Sequence, residues 1–353
     1  MIDLHLHFDG SLPVATVWEQ AAKQGISLPA ASLEELREKM VCPADCKSLN
    51  DYLEKFDIPL RVLQTAEGIK ESMIDLIEEL AAERMLYAEI RFAPQLHLQK
   101  GLTQDEVVQA AISGVQEAMQ LLHDDAEALE DSDVSDTGRD RVPNNKRPQI
   151  KIQLILCCMR GRDNKEANFE TVRLTAKYLG KGVCARDLAG AEAVFPTKEF
   201  EDLFVYAGNL GVPYTIHAGE ADGPESIHSA LAFGAKRLGH GVRAAEEAGL
   251  VNELAEKKIT LECCPKSNVQ TKAVENIQTH PIKEFLYRGI PVTVGTDNRT
   301  VSQTTIAKEI QYLREQLALT VEEERQLYLN AADAAFISKE EREGLKNVIT
   351  EII

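Results

Sequence analysis

The chain has 353 residues, with 57 Asp and Glu against 39 Lys and Arg, for a net charge of −18. Such an acidic balance argues against nucleic acid or an anionic membrane surface as the main partner, because both attract positive charge. There is no apolar run of about 18 residues, no basic-then-apolar leader before the first apolar segment, and an odd count of seven cysteines, which together predict a reduced, cytoplasmic chain.

Short segments rich in Val, Ile and Leu recur at 2–7, 86–92, 150–159, 182–188, 212–217, 237–239, 259–263 and 291–295. Their length and apolar content suit buried parallel strands. Amphipathic helical patterns lie between them. The first follows Ser11 and Pro13 and stops at Gly25, and others cover 69–84, 104–122 and 198–210. Eight strands alternating with helices predict a (β/α)8 barrel. A doubly wound sheet fits less well, since no glycine-rich phosphate loop follows the first strand. Two stretches break the alternation. Residues 27–64 carry helical pattern of their own and are expected to cover the barrel mouth. Residues 123–149, acidic and then rich in Pro and Asn, read as an exposed polar insertion within a single domain spanning 1–353.

Active sites of such barrels form at the C-terminal ends of the strands. Strand one ends in LHLHFDG, where His5 and His7 stand two apart and so share one face. Strand five ends in HAGE with His217 and Glu220, strand six in GHG with His240, and strand eight in GTDN with Asp297 and Asn298. His5, His7, His217 and Asp297 come from three strands that converge on barrel closure. Three imidazoles and one carboxylate suit one divalent ion with a position left for water. Bound zinc lowers the pKa of its water to about 7. Glu220 is the acid/base candidate, and His240 is placed either to stabilise charge at the attacked carbon or to hold Asp297. A second metal bridged by a carboxylated lysine is not expected, because strand four ends CARDLAG and Lys181 precedes it. The H-x-E…P-C-x-x-C deaminase pattern does not fit, and Cys42 and Cys46 are expected to be ordinary thiols.

Seven stretches in order, DLHLHFDGSL, EIRFAPQ, DLAGAE, HAGE, RLGHGV, ECCPKSNVQT and VTVGTDN, resemble the adenosine deaminase family of the amidohydrolase superfamily across nearly the whole chain. The resemblance implies a zinc-dependent hydrolase with one Zn2+ per chain. It would convert adenosine or 2′-deoxyadenosine to the inosine form plus ammonia, by attack of metal-bound hydroxide on purine C6. It implies His5, His7, His217 and Asp297 as metal ligands and Glu220 as the proton shuttle at purine N1. It implies His240 as the residue orienting the nucleophile, Gly190 at purine N3, Asp9 at the ribose 5′-hydroxyl, and Leu53 and Phe56 as an apolar lid. Asn298 stands where many members have Asp beside purine N7, and an amide can donate there. Ala191 stands where an acidic residue is common. Deamination of adenine or of a 5′-modified adenosine such as aminofutalosine is the alternative. A metal-dependent phosphoesterase would need further ligands, and a non-catalytic nucleoside-binding relative would show a degraded site.

Overall fold

The structure, a computed structural model, describes residues 1–132 and 150–352. Eight strands appear where the apolar segments predict them: β1 Ile2–His7, β2 Tyr87–Phe92, β3 Lys151–Met159, β4 Val183–Ala189, β5 His217–Ala218, β6 Arg237–His240, β7 Thr260–Cys263 and β8 Val292–Val294. All pair in parallel, β1 to β4 in sequence and β5 to β8 in sequence. Two seams close the barrel. At one, the His7 N–H donates to the Asp297 carbonyl and the Asp297 N–H to the His5 carbonyl, each at 2.7 Å. At the other, the Arg186 N–H donates to Pro213 and the Thr215 N–H to Arg186, each at 3.0 Å. The ladder of β5 is shorter than the apolar run 212–217 predicts. Pro213 has no N–H to give before Tyr214, and beyond it the Leu188 N–H goes to the Asp187 carboxylate at 2.7 Å, so pairing with β4 is an isolated bridge between Arg186 and Tyr214.

The strands are buried on both faces, as a barrel ringed by helices requires. Gly295 lets β8 close onto β1: a Cβ there would sit 2.7 Å from His5 Cβ and 3.0 Å from the His5 carbonyl oxygen. The first long helix is Val14–Gln24, ended by Gly25 in a left-handed conformation. Residues 27–64 fold into helices Leu33–Met40, Leu49–Leu53 and Asp57–Val62 with a 3-10 turn at Glu54–Phe56. The helix expected over 104–122 runs on as Gln104–Ser132, so the first ten residues expected in the insertion are helical. Ala, Glu and Leu in HDDAEALEDS favour that continuation. The rest of the expected insertion, 133–149, lies outside the described residues. Among the described residues no helix is long and apolar enough to cross a membrane.

Candidate active site

The carboxyl ends of the strands surround a cavity of about 250 Å³. Its wall includes His7, Asp9, Gly190, His217, Glu220, His240, Asp297 and Asn298. Leu53 and Phe56, expected as a lid, line it together with Tyr52, whose hydroxyl lies 2.7 Å from Ser302 Oγ. Of the stretch 27–64 expected to cover the mouth, residues 49–60 border the cavity. His240 and Asp297, at the ends of β6 and just past β8, have φ of 61° and 58°. A left-handed conformation costs a residue with a side chain about 1–2 kcal/mol. Such strain gathers where surrounding structure fixes a side chain for function.

Four donor atoms crowd together, three of them on residues of the cavity wall, His7, His217 and Asp297, with His5 beside them. His5 Nε2 lies 3.1 Å from His217 Nε2, and His7 Nε2 lies 3.2 Å from His217 Nε2. Asp297 Oδ1 is 3.5 Å from His5 Nε2 and 3.4 Å from His7 Nε2. His5 Nδ1 lies 2.8 Å from Glu262 Oε2, and His217 Nδ1 lies 2.8 Å from Asp187 Oδ2. Each Nδ1 faces a carboxylate, which can only accept, so each Nδ1 carries a proton. Both rings thus turn Nε2 to one point, 3.1 Å apart, in the arrangement of metal-ligating imidazoles backed by carboxylates. Ligands about 2.1 Å from a tetrahedral zinc are about 3.4 Å from one another, which the four distances match. His240 also lies within 4.8 Å of His5, His217 and Asp297 through its ring nitrogens.

The charged residues under these histidines carried no role in the sequence reading. Arg91 Nη1 donates to Asp187 at 2.9 Å and Arg91 Nη2 to Glu262 at 2.8 Å. Arg237 Nε donates to Glu262 and Arg237 Nη2 to Glu89 at 2.6 Å, and the Thr215 hydroxyl donates to Glu262 at 2.8 Å. Burial alone would raise the Glu262 carboxyl, but Arg237 and Arg91 hold it well below the usual range. The signal for this network was present in the sequence: ionisable residues inside strands that are otherwise apolar.

Glu220 is buried, and its Oε1 has no hydrogen-bond partner among the described residues. Burial, and then the negative charges of Asp297 and Glu192, push its carboxyl well above the usual range. Its Oε2 lies 3.5 Å from His240 Nε2. The next helix begins at Pro224, and Glu225 occupies its first turn, so Glu220 is not a helix-start carboxylate. Nor does His240 hold Asp297: the Ser267 hydroxyl does, donating to Asp297 Oδ2 at 2.5 Å. Asp9 is buried, which raises its carboxyl to about 6, and it accepts the Gly10 N–H at 3.1 Å. Asn298 Oδ1 is also without a partner among the described residues. Cys42 and Cys46 are free, buried thiols packed near Tyr52 and Val301.

A closed barrel of eight parallel strands, with imidazoles and a carboxylate converging at their carboxyl ends, defines a metal-dependent hydrolase of the amidohydrolase type. The family model described as adenosine deaminase matches residues 1–352. The chain belongs to the adenosine deaminase family. It is 45% identical over 348 residues to an adenosine deaminase of Haemophilus ducreyi, covering 98% of this chain and 94% of that one. It is 42% identical over 353 residues to an adenosine deaminase of Clostridium botulinum, covering 99% and 97%. Among solved structures, adenine deaminase from Arthrobacter aurescens superposes with a TM-score of 0.83 at 26% identity, covering 99% of this chain and 98% of that one. A Burkholderia ambifaria amidohydrolase shares the fold, with a TM-score of 0.81 at 16% identity over 99% of this chain and 89% of that one.

Proposed function

We propose that the chain hydrolyses adenosine and 2′-deoxyadenosine to inosine and 2′-deoxyinosine, releasing ammonia, with one zinc ion per chain. Its relatives named adenosine deaminase align over nearly its whole length. His5, His7, His217 and Asp297 would hold the metal, and the convergence of their donor atoms at 3.1 to 3.5 Å, with carboxylates behind His5 and His217, supports that set. When bound, zinc lowers the pKa of its water to about 7 and so supplies a nucleophile at neutral pH.

The residues of this chain do the rest. Burial among other negative charges pushes the Glu220 carboxyl up and so favours its protonated form, and it gives that proton to purine N1. Protonation there draws electron density from C6, the carbon under attack. Glu220 then takes a proton from the nucleophile and delivers it to the leaving amine. His240 holds the attacking oxygen in line. The Gly190 backbone, at φ 107° in the cavity wall, meets purine N3, and Asn298 meets N7. Asp9 takes the ribose 5′-hydroxyl, which favours a nucleoside over a 5′-phosphate. Leu53 and Phe56 exclude water from above. Seven free, buried cysteines support a reducing compartment, and we place the reaction in cytoplasmic purine salvage.

One observation carries this reading: Glu220, which has an unpartnered, buried carboxyl oxygen, lines the same cavity as three of the four metal donors, His7, His217 and Asp297. The test is ultraviolet absorbance of adenosine with purified protein, beside Glu220→Gln and with adenine as second substrate. The inosine spectrum should appear with the parent protein and vanish in the variant, whose zinc content should stay at one per chain. No change with either purine, on protein containing one zinc, overturns the reading. Conversion of adenine but not adenosine moves the substrate to the free base.

A further inference from the structure

His240 differs from the other site histidines in what its far nitrogen meets. His5 and His217 turn Nδ1 to a carboxylate. His240 turns Nδ1 to the Asn268 side-chain amide, whose Nδ2 lies 2.9 Å away. Asn268 sits fully buried in the helix Pro265–Gln270. Its Oδ1 accepts the Cys264 backbone N–H at 3.2 Å. A backbone N–H can only donate, so this contact fixes which end of the amide is oxygen. On the same Oδ1 stands His280 Nε2, at 3.2 Å. His280 Nδ1 in turn accepts the Ile282 backbone N–H at 3.2 Å.

The directions now follow without choice. The Ile282 N–H makes His280 Nδ1 an acceptor, so the proton of the neutral ring is on Nε2. Burial holds the His280 ring neutral, lowering its pKa to about 3. His280 Nε2–H donates to Asn268 Oδ1. The amide Nδ2–H then points at His240 and donates to its Nδ1. His240 must carry its own proton on Nε2, the nitrogen 3.5 Å from Glu220 Oε2.

We propose that Asn268 and His280 are positioning residues that lock His240 in its Nε2–H form, making it a hydrogen-bond donor to the attacking oxygen rather than a metal ligand. Backbone N–H groups fix the direction at both His280 and Asn268, so no side-chain rotation can reverse the relay. With Nε2 protonated and Nδ1 occupied, His240 has no lone pair for the ion, although it lies within reach of the cluster. This deepens the deaminase reading and rests on it for the role of His240, while the tautomer itself can be read without turnover.

The test uses metal-loaded, full-length protein with 15N-labelled histidine, the His240 signals being assigned with His240→Gln. The parent protein should show a protonated Nε2 and a bare Nδ1 at His240. Asn268→Asp puts an acceptor against Nδ1 and should move the proton there. It should lower kcat by about 10²-fold or more, as wrong tautomers do in other histidine relays, with KM and zinc content little changed. His280→Leu leaves the Cys264 contact and should give a smaller loss of the same sign, and it serves if Asn268→Asp does not fold. A bare Nε2 in the parent protein, or Asn268→Asp with the parent tautomer and kcat, overturns the proposal. A protein with the predicted tautomer but no turnover of adenosine overturns the substrate reading and leaves the relay standing.

Discussion

The Glu220 backbone N–H donates to the Glu192 carboxylate at 3.0 Å. The same carboxylate accepts the N–H groups of Gly219, Ala221 and Asp222 at 2.7, 2.8 and 3.1 Å, and the Ser226 hydroxyl. One buried side chain thus shapes the whole turn that carries the proton shuttle. Glu192→Ala strands those donors, and an unsatisfied buried donor costs about 1–3 kcal/mol. It should lower stability on the order of 2 kcal/mol in urea unfolding. Loss of the turn's geometry should also cut kcat roughly 10²-fold. A variant with parent kcat would show that Glu220 is held by other contacts.

Glu262 touches His5, Arg91, Arg237 and Thr215 at once. Glu262→Gln keeps the shape and removes the charge, leaving two buried guanidinium groups with less compensation. Breaking a buried ionic network costs about 3–5 kcal/mol. A carboxylate behind a ligating imidazole also strengthens the ligand, and its loss typically weakens metal binding about 10–100-fold. Chelator competition should show that weakening, alongside a lower unfolding midpoint. Parent-like metal affinity would mean that His5 needs no carboxylate behind it.

Much of the site was legible because chemistry fell at strand ends. His5, His7, His217, His240 and Asp297 each follow an apolar run, and the barrel rule then places them on one rim. The cover over the mouth was legible as helical pattern in 27–64. What the sequence hid was pairing. Glu89 and Arg91 alternate in β2 and so share a face, yet nothing in the letters says that Arg91 reaches Glu262 across the barrel. Glu192 follows DLAG by one residue, and its partners lie near residue 220, set by how two loops meet. Apolar content over 212–217 predicts a longer β5 ladder than forms, because it does not register the missing donor at Pro213 or the Leu188 N–H taken by Asp187. The relay to His240 needs the direction of each hydrogen bond, which only placed backbone N–H groups supply.

Gly10 follows Asp9 in the short helix Phe8–Ser11. A Cβ on it would lie 1.9 Å from Asn298 Oδ1 and 2.6 Å from Asn298 Cγ. Alanine suits the helical backbone there, so the clash falls on Asn298. Gly10→Ala should displace that amide from the purine edge and raise KM for adenosine about tenfold, the worth of one lost hydrogen bond. Zinc content should be unchanged, since no metal donor is touched. Steady-state kinetics with metal analysis checks both, and an unchanged KM would remove Asn298 from the substrate contacts.

Glu309 lies buried on the helix Ile306–Leu317, where it accepts the Lys266 N–H at 3.1 Å and the Thr304 hydroxyl at 2.6 Å. Burial raises its carboxyl to about 7, against an ordinary value of 4.5. Between those two values the folded chain keeps a proton that the unfolded chain has released. Stability from this group is therefore full below about pH 4.5 and declines as pH rises through 7. The whole span corresponds to about 3 kcal/mol. Glu309→Gln is neutral at every pH and removes the dependence. In urea unfolding at pH 5 and pH 8, the parent protein should lose ground to the variant at the higher pH, other groups cancelling in the difference. A difference independent of pH would mean that Glu309 stays ionised in the fold, held by the Lys266 N–H and the Thr304 hydroxyl.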